Sequence, residues 1–277
     1  MNILDKIILY KKNEVAERKS LYPIKFLEQS IYFNSQTVSL KKYLLRKDTV
    51  GVIAEFKRKS PSKGNINKYA SIERTSIGYM KAGASALSIL TDTEFFGGKN
   101  EDLTQSRKFN YCPILRKDFI VDEYQIYEAK AIGADAILLI ANVLSANEIK
   151  QLCITANLLG LEIVLEVRDK YELKTLNTMI TVVGVNNRNL KDFTVNISQS
   201  FELANLIPKE FIKISESGID TAKTINELKQ VGYAGFLIGE TFMKHARPEV
   251  PCANFIKDVK QSEIKNEIAR NQPIFNL

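Results

Sequence analysis

The chain has 277 residues, of which 45% are apolar, 26% charged and 9% aromatic. That balance excludes a disordered tract, a collagen-like repeat and a disulfide scaffold. Thirty-nine Lys and Arg against 32 Asp and Glu leave a formal charge of +7, a field that favours anionic ligands such as a phosphorylated metabolite, nucleic acid or an acidic membrane.

The basic residues are dispersed, and their tightest cluster, Lys57, Arg58 and Lys59 with Lys63 close by, sits beside Glu55. A nucleic-acid partner is therefore not expected. Cys112, Cys153 and Cys252 stand far apart with no CxxC spacing, and His245 is the single histidine. Neither a metal site nor a disulfide framework is predicted, and acid and base work falls to Lys, Glu or Asp.

Residues 1–9 carry charges inside their apolar stretch, unlike a secretory signal. Ile3, Leu4, Ile7 and Ile8 instead share one face of a helix. Leu40 to Leu45 give a second apolar face before the first strand. No apolar run reaches the roughly 18 residues needed to span a bilayer, so no membrane partner is expected and a cytoplasmic location is.

From Val50 the pattern alternates between short β-branched runs and helical stretches. The runs are Val50 to Phe56, Ala86 to Leu90, Pro113 to Arg116, Ala136 to Ile140, Glu162 to Glu166, Thr181 to Val185, Phe211 to Ser215 and Gly235 to Gly239. Helices are predicted over Ser71 to Lys81, Asp122 to Ala131, Ser145 to Leu159 and Thr221 to Gln230. Gly83, Gly133, Gly160 and Gly232 each stand between a helix and the next strand, where a left-handed residue ends the helix.

Alternation implies parallel strands with right-handed crossovers. Eight units predict a closed (β/α)8 TIM barrel, an α/β fold with an N-terminal helical extension. An open doubly wound sheet shares the alternation, but its phosphate-binding GxGxxG is missing: the first run leads into Lys57-Arg58-Lys59-Ser60-Pro61-Ser62-Lys63-Gly64. The expected organisation is a single domain: residues 1–48 as a lid or packing extension, 49–260 as the barrel and 261–277 as a terminal tail.

Alternate strand residues share a face, so Glu55 and Lys57 point the same way at the end of the first run. By itself such a pair is equally a structural ion pair. Lys117, Glu166, Asn186 with Arg188, and Glu216-Ser217-Gly218 occupy equivalent ends of other runs. In a barrel these ends converge on one pocket, where enzymes of the fold do their chemistry. Gly218 and Gly239, closing the last two runs, suit a phosphate cradle of backbone N–H groups.

Val52 to Ser62 resembles the motif of indole-3-glycerol phosphate synthases, a strand ending in E-x-K-[KR] and running into a basic Ser-Pro-Ser loop. Leu115-Arg116-Lys117-Asp118-Phe119-Ile120, Leu165-Glu166-Val167, Gly184-Val185-Asn186-Asn187-Arg188, Ser215-Glu216-Ser217-Gly218-Ile219 and Leu237-Ile238-Gly239-Glu240 match in order, over about residues 20–245.

The resemblance implies conversion of 1-(2-carboxyphenylamino)-1-deoxyribulose 5-phosphate into indole-3-glycerol phosphate, with loss of carbon dioxide and water and with no cofactor or metal. It implies Lys117 as general acid, Glu166 assisting later proton transfers, and Lys57 as an anion contact and possible second acid. Glu55 would orient the lysines, with Asn186 and Glu216 at the reacting centre. Ser60 and Arg188 would position substrate, Phe96, Phe119 and Leu139 would wall the anthranilate ring, and Ser217, Gly218, Gly239 and the Glu240 backbone N–H would hold phosphate.

Two residues depart from the family pattern. Asn189 stands where N-R-D-L would supply a carboxylate to orient Arg188, and Lys99 could add to the anion field. The partner implied is a small phosphorylated substrate. A monomer is expected, with association with other tryptophan-pathway enzymes left open. The competing readings are another phosphate-binding barrel enzyme and a non-catalytic barrel that binds without reacting.

Overall fold

The computed structural model describes residues 2–190 and 192–271. Eight parallel strands close a barrel: β1 (Val52–Phe56), β2 (Ala86–Leu90), β3 (Ile114–Lys117), β4 (Ala136–Ile140), β5 (Glu162–Val167), β6 (Val182–Asn186), β7 (Ile212–Glu216) and β8 (Tyr233–Ile238). Each pairs with its sequence neighbours, and β8 closes on β1 through Val52 with Phe236 and Ala54 with Ile238. The eight predicted runs are the eight strands, with ends moved by a residue or two. The last run is displaced most: β8 begins at Tyr233, and Gly239 already caps the short helix after it.

Strand alternation builds two cores. Val52, Ala54, Phe56, Leu87 and Ile89 face outward under the helices, whereas Ile53, Ala86, Leu115, Leu138, Val164 and Leu237 fill the interior. Helices α4 (Ile72–Ala82), α6 (Tyr124–Ala131), α7 (Ala146–Leu158) and α9 (Ala222–Gln230) fall in the predicted segments. Ser71, Ser145 and Thr221 are N-caps whose side chains accept from the third helical N–H. The four junction glycines have φ of 95°, 93°, 70° and 89° at Gly83, Gly133, Gly160 and Gly232.

Further helices are α5 (Asn100–Phe109), α8 (Ser198–Ala204), α10 (Glu240–Met243) and α11 (Glu249–Asn271). Between β5 and β6 the crossover has only a 3-10 turn, Glu172–Thr175. A two-stranded antiparallel ribbon, Lys59–Ser60 against Gly64–Asn65, follows β1. Part of the expected tail is helical, because α11 continues through residues 261–271, while Pro273, Ile274 and Phe275 lie outside the described residues.

The N-terminal extension meets both ends of the barrel. Helix α1 (Ile3–Leu21) brings Leu4 and Ile7 to the interior core at the C-terminal mouth, beside Phe119 and Ile140. Helix α3 (Leu40–Leu44) inserts Leu40 and Leu44 into the same core from below, and Ser39 donates to Glu162 at the start of β5, 2.6 Å away. Between them α2 (Ile24–Leu27) packs on α6. The extension thus runs from mouth to base along one side of the barrel.

Candidate active site

A cavity of about 600 Å³ opens at the C-terminal mouth. Every site residue expected from sequence lines it except Leu139. On β4 successive side chains alternate faces, so Leu139 packs outward in the outer core while Leu138 and Ile140 line the cavity. The apolar wall is therefore Phe96, Phe119, Leu138 and Ile140, with the two rings 5.9 Å apart at 40°. Lys99 is exposed and is not part of the lining.

Lys117 stands at the centre. It ends β3, and its Nζ donates to Glu166 Oε2 at 2.9 Å and to Glu216 Oε2 at 2.5 Å. Burial disfavours the ammonium, but the Glu166, Glu216 and Glu55 carboxylates outweigh that and raise its pKa above the ordinary lysine value. Burial also opposes ionisation of Glu166, yet Lys117 and the hydrogen bond from Asn186 Nδ2, 3.0 Å away, hold it below the usual carboxylate range.

Glu216 goes the other way. Burial, followed by repulsion from Glu166 and Glu55, overcomes the attraction of Lys117 and pushes its carboxyl up to about 7. Its Oε1 is buried without a hydrogen-bond partner and lies where a Cβ on Gly184 would come within 2.4 Å. The glycine leaves the space that the carboxylate occupies. Gly239 does the same for Glu55, whose Oε1 would be 2.3 Å from an added Cβ.

Lys57 and Glu55 do share a face, as alternation requires, and Lys57 Nζ donates to Glu55 Oε1 at 2.6 Å. Asn186 joins the groups on β6 to those after β7: its Oδ1 accepts from Arg188 N at 2.9 Å and from Ser217 Oγ at 3.1 Å. Ser217 and Gly218 both have positive φ, 69° and 74°, and both line the cavity together with Ser60.

Arg188 has a carboxylate partner although residue 189 is Asn. Its Nη2 donates to Glu240 Oε2 at 3.3 Å, and Lys63 Nζ approaches the other oxygen of Glu240 at 3.6 Å. The Glu240 side chain thus faces two cations across the mouth. Asn189 Nδ2 donates instead to Asp192, 2.9 Å away.

Sequence reasoning missed three contributions. Ile3, Leu4 and Ile7 of α1 line the cavity, which only their apolar face hinted at. Lys63 was visible as charge without a destination. Asn187, next to Asn186, is buried beneath the end of β7; it stands inside a matched block, but nothing in the sequence gives it a role. Among the described residues no group of three or more His, Cys, Asp or Glu is placed to hold a metal ion, and no helix is long and apolar enough to cross a membrane.

A family model described as indole-3-glycerol phosphate synthase matches residues 4–255. The indole-3-glycerol phosphate synthase of Bacteroides thetaiotaomicron is 45% identical over 259 residues, covering 94% of this chain and 99% of its own. That of Campylobacter curvus is 42% identical over 263 residues, covering 94% and 99%. Among solved structures, the tryptophan synthase A-subunit of Pyrococcus furiosus superposes with a TM-score of 0.57 at 13% identity, over 77% of this chain and 98% of that one. The last likeness concerns the barrel fold alone.

Proposed function

The chain belongs to the indole-3-glycerol phosphate synthase family, and from that premise we propose how its own residues perform the reaction. It is a carboxy-lyase of tryptophan biosynthesis, acting on a small phosphorylated substrate, 1-(2-carboxyphenylamino)-1-deoxyribulose 5-phosphate. Ring closure interrupts aromaticity and builds negative charge on the former carbonyl oxygen. An ammonium held in a buried site both neutralises that charge and supplies the proton.

Lys117 is that acid. The raised pKa keeps its proton on at any physiological pH until the stronger base, the developing alkoxide, forms beside it. Decarboxylation follows and restores conjugation, favoured where the substrate carboxylate lies against Phe96, Phe119, Leu138 and Ile140. Dehydration then needs an acid at the hydroxyl and a base at the departing ring proton. Lys57 with Glu55, and Lys117 with Glu166, are the acid and base pairs within reach, and Glu216, whose carboxyl burial and its acidic neighbours raise above the usual carboxylate range, can return a proton to Lys117.

Ser60, Arg188 and Lys63 orient the sugar and its charges. Ser217, Gly218, Gly239 and the backbone N–H of Glu240 receive the phosphate. All these groups belong to one chain, so the site needs no residue from a second copy; we read the enzyme as a single-domain monomer working in the cytoplasm, where a phosphorylated substrate is retained.

The observation that carries this reading is the meeting of Lys117 with Glu166 and Glu216, from three strands, in the cavity that also holds Lys57 and Glu55. Purified protein without added metal should convert the carboxyphenylamino-deoxyribulose phosphate to a fluorescent indole product. Folded protein that binds this substrate without turning it over would favour the non-catalytic barrel.

A further inference from the structure

Asn187 follows directly on β6 and is 4% exposed. Its side-chain Nδ2 lies 3.0 Å from each of three acceptors: Ser215 Oγ, Glu216 O and Ser217 O. Its backbone N–H also donates to Glu216 O, at 2.9 Å. On the other side, Oδ1 accepts from Ser200 Oγ at 2.8 Å and from Ser200 N at 3.2 Å. Ser200 and Ser215 hydroxyls are themselves 2.7 Å apart, and Tyr233 OH donates to Ser200 O at 2.7 Å.

This environment fixes which residue can stand there. Glu216 O and Ser217 O can only accept, and Ser200 N can only donate, so the site requires a donor on one edge and an acceptor on the other. An amide of this length supplies both. Aspartate would set an acceptor against two carbonyls, and an apolar residue would leave buried polar groups unpaired.

The two carbonyls that Asn187 holds flank Ser217, whose φ of 69° is a conformation that residues with a Cβ adopt at a cost. That turn directs Glu216 toward Lys117 on one side and aims Ser217 and Gly218 at the cavity on the other. We propose that Asn187 is a positioning residue for the reaction, holding Ser217 in its left-handed conformation and so fixing both the Glu216 carboxylate and the Gly218 end of the cavity. This rests on the catalytic reading given above, since Asn187 itself does not line the cavity.

The test pairs Asn187→Ala with Ser217→Gly in the full chain. Glycine adopts the left-handed conformation freely, so it removes the need for restraint without restoring the lost hydrogen bonds. Asn187→Ala is expected to lower kcat/KM by about 30-fold in the Ser217 background and by less than about 5-fold in the Ser217→Gly background. Equal losses in the two backgrounds would mean a general loss of packing and would overturn the proposal.

Amide exchange over residues 215–219 gives a readout independent of turnover. It should accelerate at least about tenfold in Asn187→Ala while the strands on the far side of the barrel keep their protection. Unchanged exchange there would also overturn it. Should the alanine variant fail to fold, the same two measurements on Asn187→Ser, which keeps a donor, decide the matter: intermediate losses support the proposal and wild-type behaviour refutes it. Turnover by the wild-type enzyme checks the catalytic reading separately, so the two failures are distinguishable.

Discussion

Lys117 is buried among Glu166, Glu216 and Glu55, and these carboxylates, against the cost of burial, keep it charged. On the proposed reading, removing the ammonium deletes the proton donor, and it leaves buried carboxylates facing one another. Lys117→Ala should therefore reduce kcat by at least about 100-fold, with a smaller change in KM, because the interaction is made chiefly in the transition state. Steady-state kinetics check this, and near-normal turnover would remove Lys117 from the role of acid. Glu216 makes a separate, pH-dependent prediction. Its carboxyl is raised by burial and by its acidic neighbours from the ordinary 4.5 to about 7, so between those values the folded protein holds a proton that the unfolded chain has lost. Its stabilising contribution is complete below pH 4.5 and disappears as pH rises through about 7. Glu166, lowered instead, contributes in the opposite sense only on the acid side of its ordinary value. Thermal melts of the wild type should show Tm falling between about pH 5 and 7.5, and Glu216→Gln, which cannot ionise, should flatten that slope. Parallel slopes would show that Glu216 titrates elsewhere.

At the scale of elements, the strands were legible because a barrel strand is a short apolar run bounded by turn residues, and the helices at α4, α6, α7 and α9 because their caps and periodicity agree. What escaped were elements whose local propensity is weak: α5 is short of apolar residues and charged, and the ribbon after β1 is two residues on each side. The docking of α1 was invisible for a different reason, since it depends on a buried cation whose partners are distant in sequence. Lys11 is 2% exposed and its Nζ sits 2.9 Å from Asp92 Oδ2, 3.0 Å from Asp118 Oδ1 and 2.7 Å from Glu14. Burial opposes the ammonium, but Asp118 and Asp92 raise its pKa above the ordinary value. Each of those aspartates also anchors the wall: Asp92 Oδ1 accepts from Phe96 N at 3.2 Å and Asp118 Oδ1 from Phe119 N at 2.8 Å. Lys11→Ala leaves buried Asp92 without its cation, while Asp118 keeps Arg116 at 3.1 Å, and a broken buried pair costs about 3–5 kcal/mol. At roughly 2–4 °C per kcal/mol for a chain of this size, Tm should fall by about 6 °C or more in thermal melts. A shift under about 2 °C would mean that Asp92 and Asp118 are satisfied without α1.

For the molecule as a whole, the sequence disclosed the cast of the site more fully than its arrangement. Residues at strand ends could be named because closure of a barrel brings all such ends to one mouth. The inward or outward sense of a residue within a wholly apolar strand is not legible in that way, so nothing in the pattern of β4 corrects the resemblance, which implies Leu139 in the wall that Leu138 and Ile140 form. The carboxylate that the family pattern puts at residue 189 is absent from this sequence, and the one that faces Arg188 stands on Glu240, reached only after two more strands. Net charge is the property that belongs to no single element. At +7 the chain as a whole attracts a substrate bearing both a carboxylate and a phosphate. In the cavity lining, by contrast, the five cations Lys57, Lys63, Lys117, Arg188 and Lys244 stand among six carboxylates, so the steering belongs to the overall field and not to the lining. Added chloride screens the long-range part, so raising ionic strength from about 0.02 to 0.2 M should lower kcat/KM a few-fold, mainly through KM. On the proposed reading inorganic phosphate should do more, because it would also occupy the phosphate site assigned to Gly218 and Gly239 at the ends of β7 and β8. At matched ionic strength it should inhibit competitively where chloride does not. Equal effects of the two salts would leave the steering intact and remove the phosphate end from those two glycines.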